Sequence, residues 1–487
     1  MSECHYDVVI IGAGPAGLFA ANELKRASRD LKILIIEQGK PPESRQCAAL
    51  TGNCIKCNPC QLVHGGAGAG LFSDGKLVLD LNFGGHLSLP EKDQLFLVNY
   101  IKNTLQKYDG NAQASVPSGQ EAWRARFSRY DLELKTYRIL HLGSANLQGI
   151  MRRFIADLMH RGVDFWFNAE ALSVEANNSI KKISVLKDNR ITSVDCSNLV
   201  IAAGKAGSGW VRQVLGRLGV QFSRNRVFIG VRIETGHRVL REMLDFSFDP
   251  KIFHYFADGA KIKTHCFCRQ GQVIMTRYGD STVVGGHTRY TEKNRLEQLP
   301  EVAQEDRSNS NFAVLLGDTP DHPFSQADIK YYLDAVRMLA GGRLLVQRLA
   351  DFRNNVATTP QHLASNLIHA SNTANVVPGN IAALNLPLDF NYKFAEFMNS
   401  LNQVVPGIGS DETLLYAPAV EWWMDKAVVD QHMETIVPGL YAIGDGAGLS
   451  QGIVHAGATG ILAASGIVQK KLIESRKAEK RLEQVTA

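Results

Sequence analysis

The chain has 487 residues, too many for one ordinary domain of roughly 100–200. Its 45% apolar and 21% charged residues are globular composition with ample core, and a net charge of +5 without a basic run argues against a nucleic-acid groove. No apolar run reaches the ~18–20 residues of a membrane span. The uncharged stretch 8–22 follows Glu3 and Asp7 and is broken by Gly12, Gly14, Pro15 and Gly17, unlike a secretory segment. A cytoplasmic protein with reduced thiols and no membrane partner is expected.

YDVVIIGAGPAGLFAANEL opens the chain. Val8–Ile11 is an apolar, β-branched run that predicts the buried first strand of a parallel sheet. Gly12, Gly14 and Gly17 follow in G-x-G-x-x-G spacing, and Leu18, Ala21 and Leu24 recur at helical spacing. The glycines let the backbone turn and approach a pyrophosphate at the positive end of the helix, with Pro15 and Ala16 in the same turn. A second strand, LKILIIE, ends at Glu37, twenty residues beyond Gly17, where an acidic side chain binds the ribose hydroxyls of an adenosine; Gln38 is adjacent. These four elements in order predict a dinucleotide site.

Further along, residues 84–125 read as a helical excursion and 147–175 as a helix followed by a strand. ISVLKDNRITSV predicts a hairpin turning at Lys187-Asp188-Asn189. VFIGVRIET and QVIMTRYGDSTVVGGHT carry strand alternation and predict an antiparallel sheet, whereas DIKYYLDAVRMLAGGRLL and FNYKFAEFMNSLNQVV read as helices. EQLPEVAQEDRSNSN (297–311) is polar and reads as a surface loop. GKAGSGW (204–210) lacks the strand and acid of a second dinucleotide site, so no nicotinamide domain is expected. Electrons then enter from the substrate, or from a donor such as NAD(P)H that docks transiently.

Near the C-terminus TIVPGLYAIGDGAG (435–448) runs from a short strand into Gly444-Asp445-Gly446. This resembles the second FAD signature of glutathione-reductase-type flavoproteins, in which the Asp binds the ribityl and pyrophosphate side. The helix beginning at Gly452 and Ile453 then points its N-terminus at the flavin, and NLVIAAG, with Ala203 and Gly204, resembles the strand before the first chain crossing. Ala171 lies where that superfamily lets the backbone touch adenine. The resemblance implies FAD.

More narrowly, VHGGAGAGLFSDGKL, HLGSANL, THCFCRQGQVI, VVGGHT and NSNFAVLL resemble the poorly characterised FAD-dependent dehydrogenases of bacteria and archaea, whose distinctive loop ends in Ser-Asp-Gly-Lys. The resemblance covers most of the chain. It departs at ETLLYAPAVEWWMD, where the family has an acidic–arginine–serine segment, and after the Cys-x-Cys segment, which lacks the usual Pro-Gly. Both departures fall where substrate should bind.

The implied organisation is an α/β FAD-binding domain of the glutathione-reductase type with a Rossmann core, over residues 1–225 and 431–487. A second, α+β substrate domain on an antiparallel sheet occupies 226–430. The loop with Gly66, Ser73, Asp74 and Lys76 is expected over the flavin; Asp74–Lys76 reads equally as an ion pair bracing it. His64, His265, His287 and His455 are candidate proton-transfer groups, His287 and His455 foremost, and Lys76 is a further catalytic candidate to manage the proton. Trp422 or Trp423 is a candidate pocket wall.

CAALTGNCIKCNPC sets Cys47, Cys54, Cys57 and Cys60 beside the flavin, as a metal or iron–sulfur site, a redox disulfide or packing thiols; metal is the least favoured. The expected protein is an FAD-dependent oxidoreductase moving a hydride between a small-molecule substrate and flavin N5. The alternatives are a flavin-dependent monooxygenase and a flavin-bearing assembly protein without turnover.

Overall fold

The computed structural model describes residues 4–50, 52–85, 87–108, 114–115, 117–177, 181–288, 308–422 and 424–486. Val8, Val9 and Ile10 are fully buried, and their strand, Cys4–Ile11, sits inside a seven-stranded sheet. Its neighbours Ile33–Ile36 and Arg190–Ile201 both run parallel to it, and Val163–Trp166 extends the parallel set beyond Ile33–Ile36. Burial on both faces is why these strands are continuously apolar instead of alternating.

Arg190–Ile201 is a fork. Its first part pairs antiparallel with Lys181–Lys187, across a turn in which Asp188 and Asn189 take φ of 50° and 58°, the primed-turn geometry those residue types tolerate. Its last residues pair parallel with Leu440–Ala442, so the chain returns to this sheet after leaving it for more than two hundred residues. Ala169–Ala176 forms the outer edge beyond Lys181–Lys187.

On this sheet the helix Pro15–Ala27 crosses the C-terminal helix Ile453–Thr486. The crossing depends on missing side chains. A Cβ at Gly460 would lie 2.1 Å from the carbonyl oxygen of Ala16, and one at Gly457 would lie 2.9 Å from Phe19. In the region read as a helical excursion, Glu91–Gln106 and Gln120–Ser128 are helices.

The second sheet has eight strands in the order Val376–Pro378, Leu344–Arg348, Leu414–Trp422, Val227–Gly236, Asn309–Gly317, Lys261–Cys268, Lys251–Tyr255 and Glu133–Lys135. All its pairs are antiparallel except the first. Two details differ from the sequence reading. Gly271–Tyr278 and Ser281–Thr288 pair only with each other, a hairpin lying against the sheet. Glu133–Lys135, expected with the nucleotide-binding part, closes the far edge of the eight-stranded sheet.

Gln326–Leu339 and Phe390–Val404 are helices, as the periodicity predicts. The polar segment 297–311 lies outside the described residues except for 308–311, of which Asn309–Asn311 begin a strand. Among the described residues no helix is long and apolar enough to cross a membrane.

Candidate active site

A cavity of about 540 Å³ lies between the two sheets and is lined from both. Its first wall is the opening glycine turn. Gly12 has φ +111°, and a Cβ there would stand 2.3 Å from the carbonyl oxygen of Ala202, so only glycine brings the first strand against the 201–204 segment. Gly14 and Pro15 present the N-terminus of the first helix to the cavity, with Ala16 beside them. Gly17 is not on the wall; a Cβ on it would meet the carbonyl oxygen of Gly12 at 2.2 Å, so it sets the helix against the strand.

Glu37 reaches the cavity edge with its carboxylate organised by three backbone amides. Oε2 accepts from Ala13 N at 2.9 Å, and Oε1 accepts from Gly39 N at 2.9 Å and Gly65 N at 2.8 Å. Gln38, Gly66 and Ala171 do not line the cavity. Gly66 packs on Pro42, where a Cβ would come to 2.6 Å, and Ala171 pairs with Val185 in the outer meander.

The loop carrying Gly66 is held by a residue the sequence reading passed over. Arg45 is 4% exposed, donates to the carbonyls of Gln61, Leu62, Gly66 and Gly68, and stacks 5.0 Å over the Phe72 ring. Nothing in its local sequence marks it, because its partners are backbone oxygens sixteen or more residues away.

Opposite the glycine turn the wall continues through Ala203, Gly204, Lys205, Gly444, Asp445, Gly452 and Ile453. Burial pushes the Asp445 carboxyl up to about 6, against the hydrogen bond from Ser450 Oγ at 2.8 Å and the nearby Lys205. The residues fit FAD. A Cβ at Gly204 or Gly452 would meet no protein atom within 4 Å although both line the cavity, so their bare backbone leaves room for a ligand. Two helix N-termini suit phosphate, and the carboxylates of Glu37 and Asp445 suit hydroxyls.

The far end of the cavity is ionisable. Asp74 and Lys76 form a 3.1 Å ion pair, and the Lys76 ammonium also donates to the carbonyl of Phe267. Burial opposes the Lys76 charge, but Cys266, Asp74 and Asp249 outweigh it and raise its pKa well above the usual amine value. His287 Nδ1 lies 3.9 Å from Asp74 Oδ1; burial nonetheless pulls its pKa down to about 4, so the ring is neutral at pH 7.

Asp249 accepts from Tyr137 Oη at 2.9 Å and Phe267 N at 3.0 Å, and pairs with Lys251 at 3.0 Å. Burial works against its charge, yet Lys251 and Lys76 hold it well below the carboxylate range. Glu421 pairs with Lys263 at 2.5 Å and lies 3.5 Å from His265, whose pKa burial lowers to about 3.

Of the histidines singled out by sequence, His64, His265 and His287 line the cavity and His455 does not. His455 shares its helix with the lining residues Ile453 and Ala456 but projects from another side. There its Nε2 bonds the carbonyl of Leu81 at 2.8 Å and its ring packs on Gly85. It anchors the loop of residues 81–85. Trp423 and the Trp422 side chain lie outside the described residues.

None of Cys47, Cys54, Cys57 and Cys60 lines the cavity, although Val63 and His64 just after them do. Cys47 and Cys60 pack on the apolar core, and burial pushes the Cys47 thiol up to about 11 and raises Cys60. Cys54 N donates to Asn375 Oδ1 at 2.9 Å, tying the loop to the second sheet. Among the described residues no group of three or more His, Cys, Asp or Glu side chains is placed to hold a metal. The cavity-facing cysteine is Cys266.

Comparison with known proteins gives four findings. The chain is 22% identical to an uncharacterized protein of Clostridium beijerinckii over 95% of this chain and 80% of that one. Among solved structures it aligns with glycine oxidase from Geobacillus kaustophilus at 13% identity and TM-score 0.38, covering 96% of this chain and 95% of that one. E. coli quinol fumarate reductase FrdA aligns at 14% identity and TM-score 0.42, covering 99% and 75%. The DAO family model, FAD dependent oxidoreductase, matches residues 7–372, about three quarters of the chain. The glycine-walled cavity thus belongs to an enzyme of the FAD dependent oxidoreductase family, with FAD as its cofactor.

Proposed function

We propose that this chain oxidises or reduces a small-molecule substrate held between the FAD and the ionisable end of the cavity. One observation carries the reading: residues of both nucleotide signatures and the cluster Asp74, Lys76, Asp249, Cys266 and His287 line a single cavity. The seven-stranded sheet is read as a glutathione-reductase-type Rossmann FAD domain, built from residues 1–225 and 431–487, with 226–430 forming the substrate domain. A cytoplasmic location and a transiently docking donor such as NAD(P)H belong to the same reading.

Gly12, Gly14, Pro15 and Ala16 would hold the FAD pyrophosphate, Glu37 its ribose, and Gly204, Asp445, Gly452 and Ile453 its ribityl side. When bound, FAD supplies a carrier of two electrons. Lys76 keeps a positive charge fixed by Asp74 at the substrate end, which favours an anionic or electron-rich group there. His287, neutral at pH 7, can accept a proton leaving the substrate, and the Asp74 carboxylate 3.9 Å away favours the charged ring that results. The Glu421, Lys263 and His265 group closes the wall and sets which polar substituents enter.

The test is anaerobic mixing of purified holoprotein with panels of amino acids, hydroxy acids, thiols and nicotinamides, following flavin bleaching. Bleaching by one class, slowed in Lys76→Met and His287→Asn, supports the reading. Hydroxylation of a bound compound under oxygen would move the protein to the monooxygenases. Flavin that no compound reduces would make it a binding protein.

A further inference from the structure

A Cys-x-Cys segment, Cys266 to Cys268, reaches the cavity wall. Lys261–Cys268 pairs with Asn309–Gly317, and the register slips between His265 and Cys268, so a bulge falls at Cys266 and Phe267. Cys266 takes φ +50°, a backbone conformation uncommon for a non-glycine residue. Bulges of this kind re-aim side chains and gather beside active sites. Here the bulge turns the Cys268 thiol back toward its neighbour, so that Cys268 Sγ donates to the Cys266 carbonyl oxygen at 3.7 Å. Cys266 faces the cavity, while Cys268 is fully buried behind it.

The surroundings are those of a reactive thiol. Arg232, only 3% exposed, donates through Nη2 to Cys268 Sγ at 3.2 Å and to the Cys266 carbonyl at 3.0 Å. Lys76 donates to the carbonyl between the two cysteines. Two cations thus flank a Cys-x-Cys pair in the cavity that holds the flavin. The neighbouring Cys268 thiol, helped by Lys76 and Arg232, lowers the pKa of Cys266, while Cys266 and burial raise that of Cys268. Space is kept for this arrangement by Gly271 and Gly286: a Cβ on the first would meet Cys268 Cβ at 2.8 Å, and one on the second Arg232 Nη2 at 1.9 Å.

We propose that Cys266 and Cys268 form a dithiol–disulfide pair that exchanges two electrons with the FAD, which makes small thiol or disulfide compounds the substrate class of this face. The inference rests on the proposed function and adds its chemistry. In the oxidising direction the two sulfurs lose their protons and one S–S bond forms. Two electrons and one proton pass to the flavin, which is reduced, and the second proton leaves through the cavity. A thiol compound then reduces the pair by exchange: it attacks the disulfide, a mixed disulfide forms, and a second thiol group displaces it as the compound's own disulfide.

The test is reductive titration of holoprotein previously oxidised with diamide, run with peptide mapping. The tryptic peptide Thr264–Arg269 contains both cysteines and no others. It is expected to be lighter by two hydrogens after diamide and to regain them on reduction. Wild type is expected to take up four electrons per flavin from dithionite, Cys268→Ser two, and Cys54→Ser four. With dithiothreitol as probe, anaerobic bleaching in wild type should exceed that of Cys268→Ser by roughly tenfold or more.

Uptake of two electrons by wild type, or a peptide whose mass diamide never changes, would overturn the proposal and leave the proposed function standing. A protein that binds no FAD would instead end the proposed function, while the peptide mass still reads the pair in the apoprotein. Where Cys268→Ser fails to fold, Cys266→Ser replaces it.

Discussion

Gly286 faces two atoms that any β-carbon would strike, Arg232 Nη2 at 1.9 Å and Asn311 Oδ1 at 2.2 Å. Arg232 is buried and bonded to Asn311 through Nε at 2.6 Å, so it has little room to yield. Gly286→Ala is therefore expected to cost about 1–3 kcal/mol and to release the guanidinium from Cys268. Urea unfolding measures the first, and faster alkylation of Cys268 measures the second.

His287 gives a pH dependence with a definite sign. Its pKa is about 4 when folded, against the ordinary value of 6.5. Between those values the unfolded chain binds the extra proton, so stability from the neutral ring is complete above pH 6.5 and is lost as pH falls toward 4. The side chain is 13% exposed, and the full loss amounts to roughly 3 kcal/mol. On acidification from pH 7.5 wild type should lose more stability than His287→Asn by up to that amount. Equal losses in denaturant melts would remove His287 from the account.

At the scale of elements, two helical glycines make opposite predictions. Gly460 lies where the C-terminal helix touches the backbone of Ala16 and Ala20, and Gly460→Ala forces the helices apart. A loss of about 2–4 kcal/mol is expected, together with weaker FAD binding, because Pro15–Ala27 carries the glycine turn at its start. Gly216, on the exposed side of the helix Ser208–Arg217, has no atom within 4 Å of its would-be Cβ. There Ala should stabilise by about 0.5 kcal/mol through helix propensity alone. Thermal melts of the two variants, with flavin content, decide both.

The elements also show what was legible in the sequence. The glycine turn, Glu37 and the Asp188-Asn189 hairpin were readable because each is local, its function set by neighbours within about twenty residues. The substrate end was legible only in part, through Asp74, Lys76, His265 and His287. Asp74, Tyr137, Asp249, Cys266, His287 and Glu421 lie on separate segments spread over nearly 350 residues, and only the tertiary fold gathers them. Four cysteines close in sequence stood out, yet none of them lines the cavity. Cys266, which faces the cavity, was visible as part of a Cys-x-Cys segment that carried no local sign of its cations, Lys76 and Arg232.

At the scale of the whole molecule the cavity is a seam. Its walls come from the seven-stranded sheet on one side and the eight-stranded sheet on the other, and hydrogen bonds and ion pairs join the two sides. Asn225 donates to the carbonyls of Met424 and Gly448 at 3.1 and 2.9 Å, and Arg212 pairs with Asp425. A ligand that fills such a seam binds the assembled chain and not the unfolded one, so it stabilises by mass action. At a free FAD concentration a hundred times the dissociation constant the gain is about 2.7 kcal/mol. Removing FAD is therefore expected to lower the melting temperature by several degrees, and returning it should restore stability in proportion to the logarithm of its concentration. Asp445→Ala removes a carboxylate from the cavity wall without touching either core. The same titration on this variant should shift to higher FAD concentration while its FAD-free melting temperature stays close to that of the wild-type apoprotein. A variant that matched wild type across the titration would show that Asp445 does not contact the cofactor. One that melted lower even without FAD would show instead that its bond from Ser450 braces the wall.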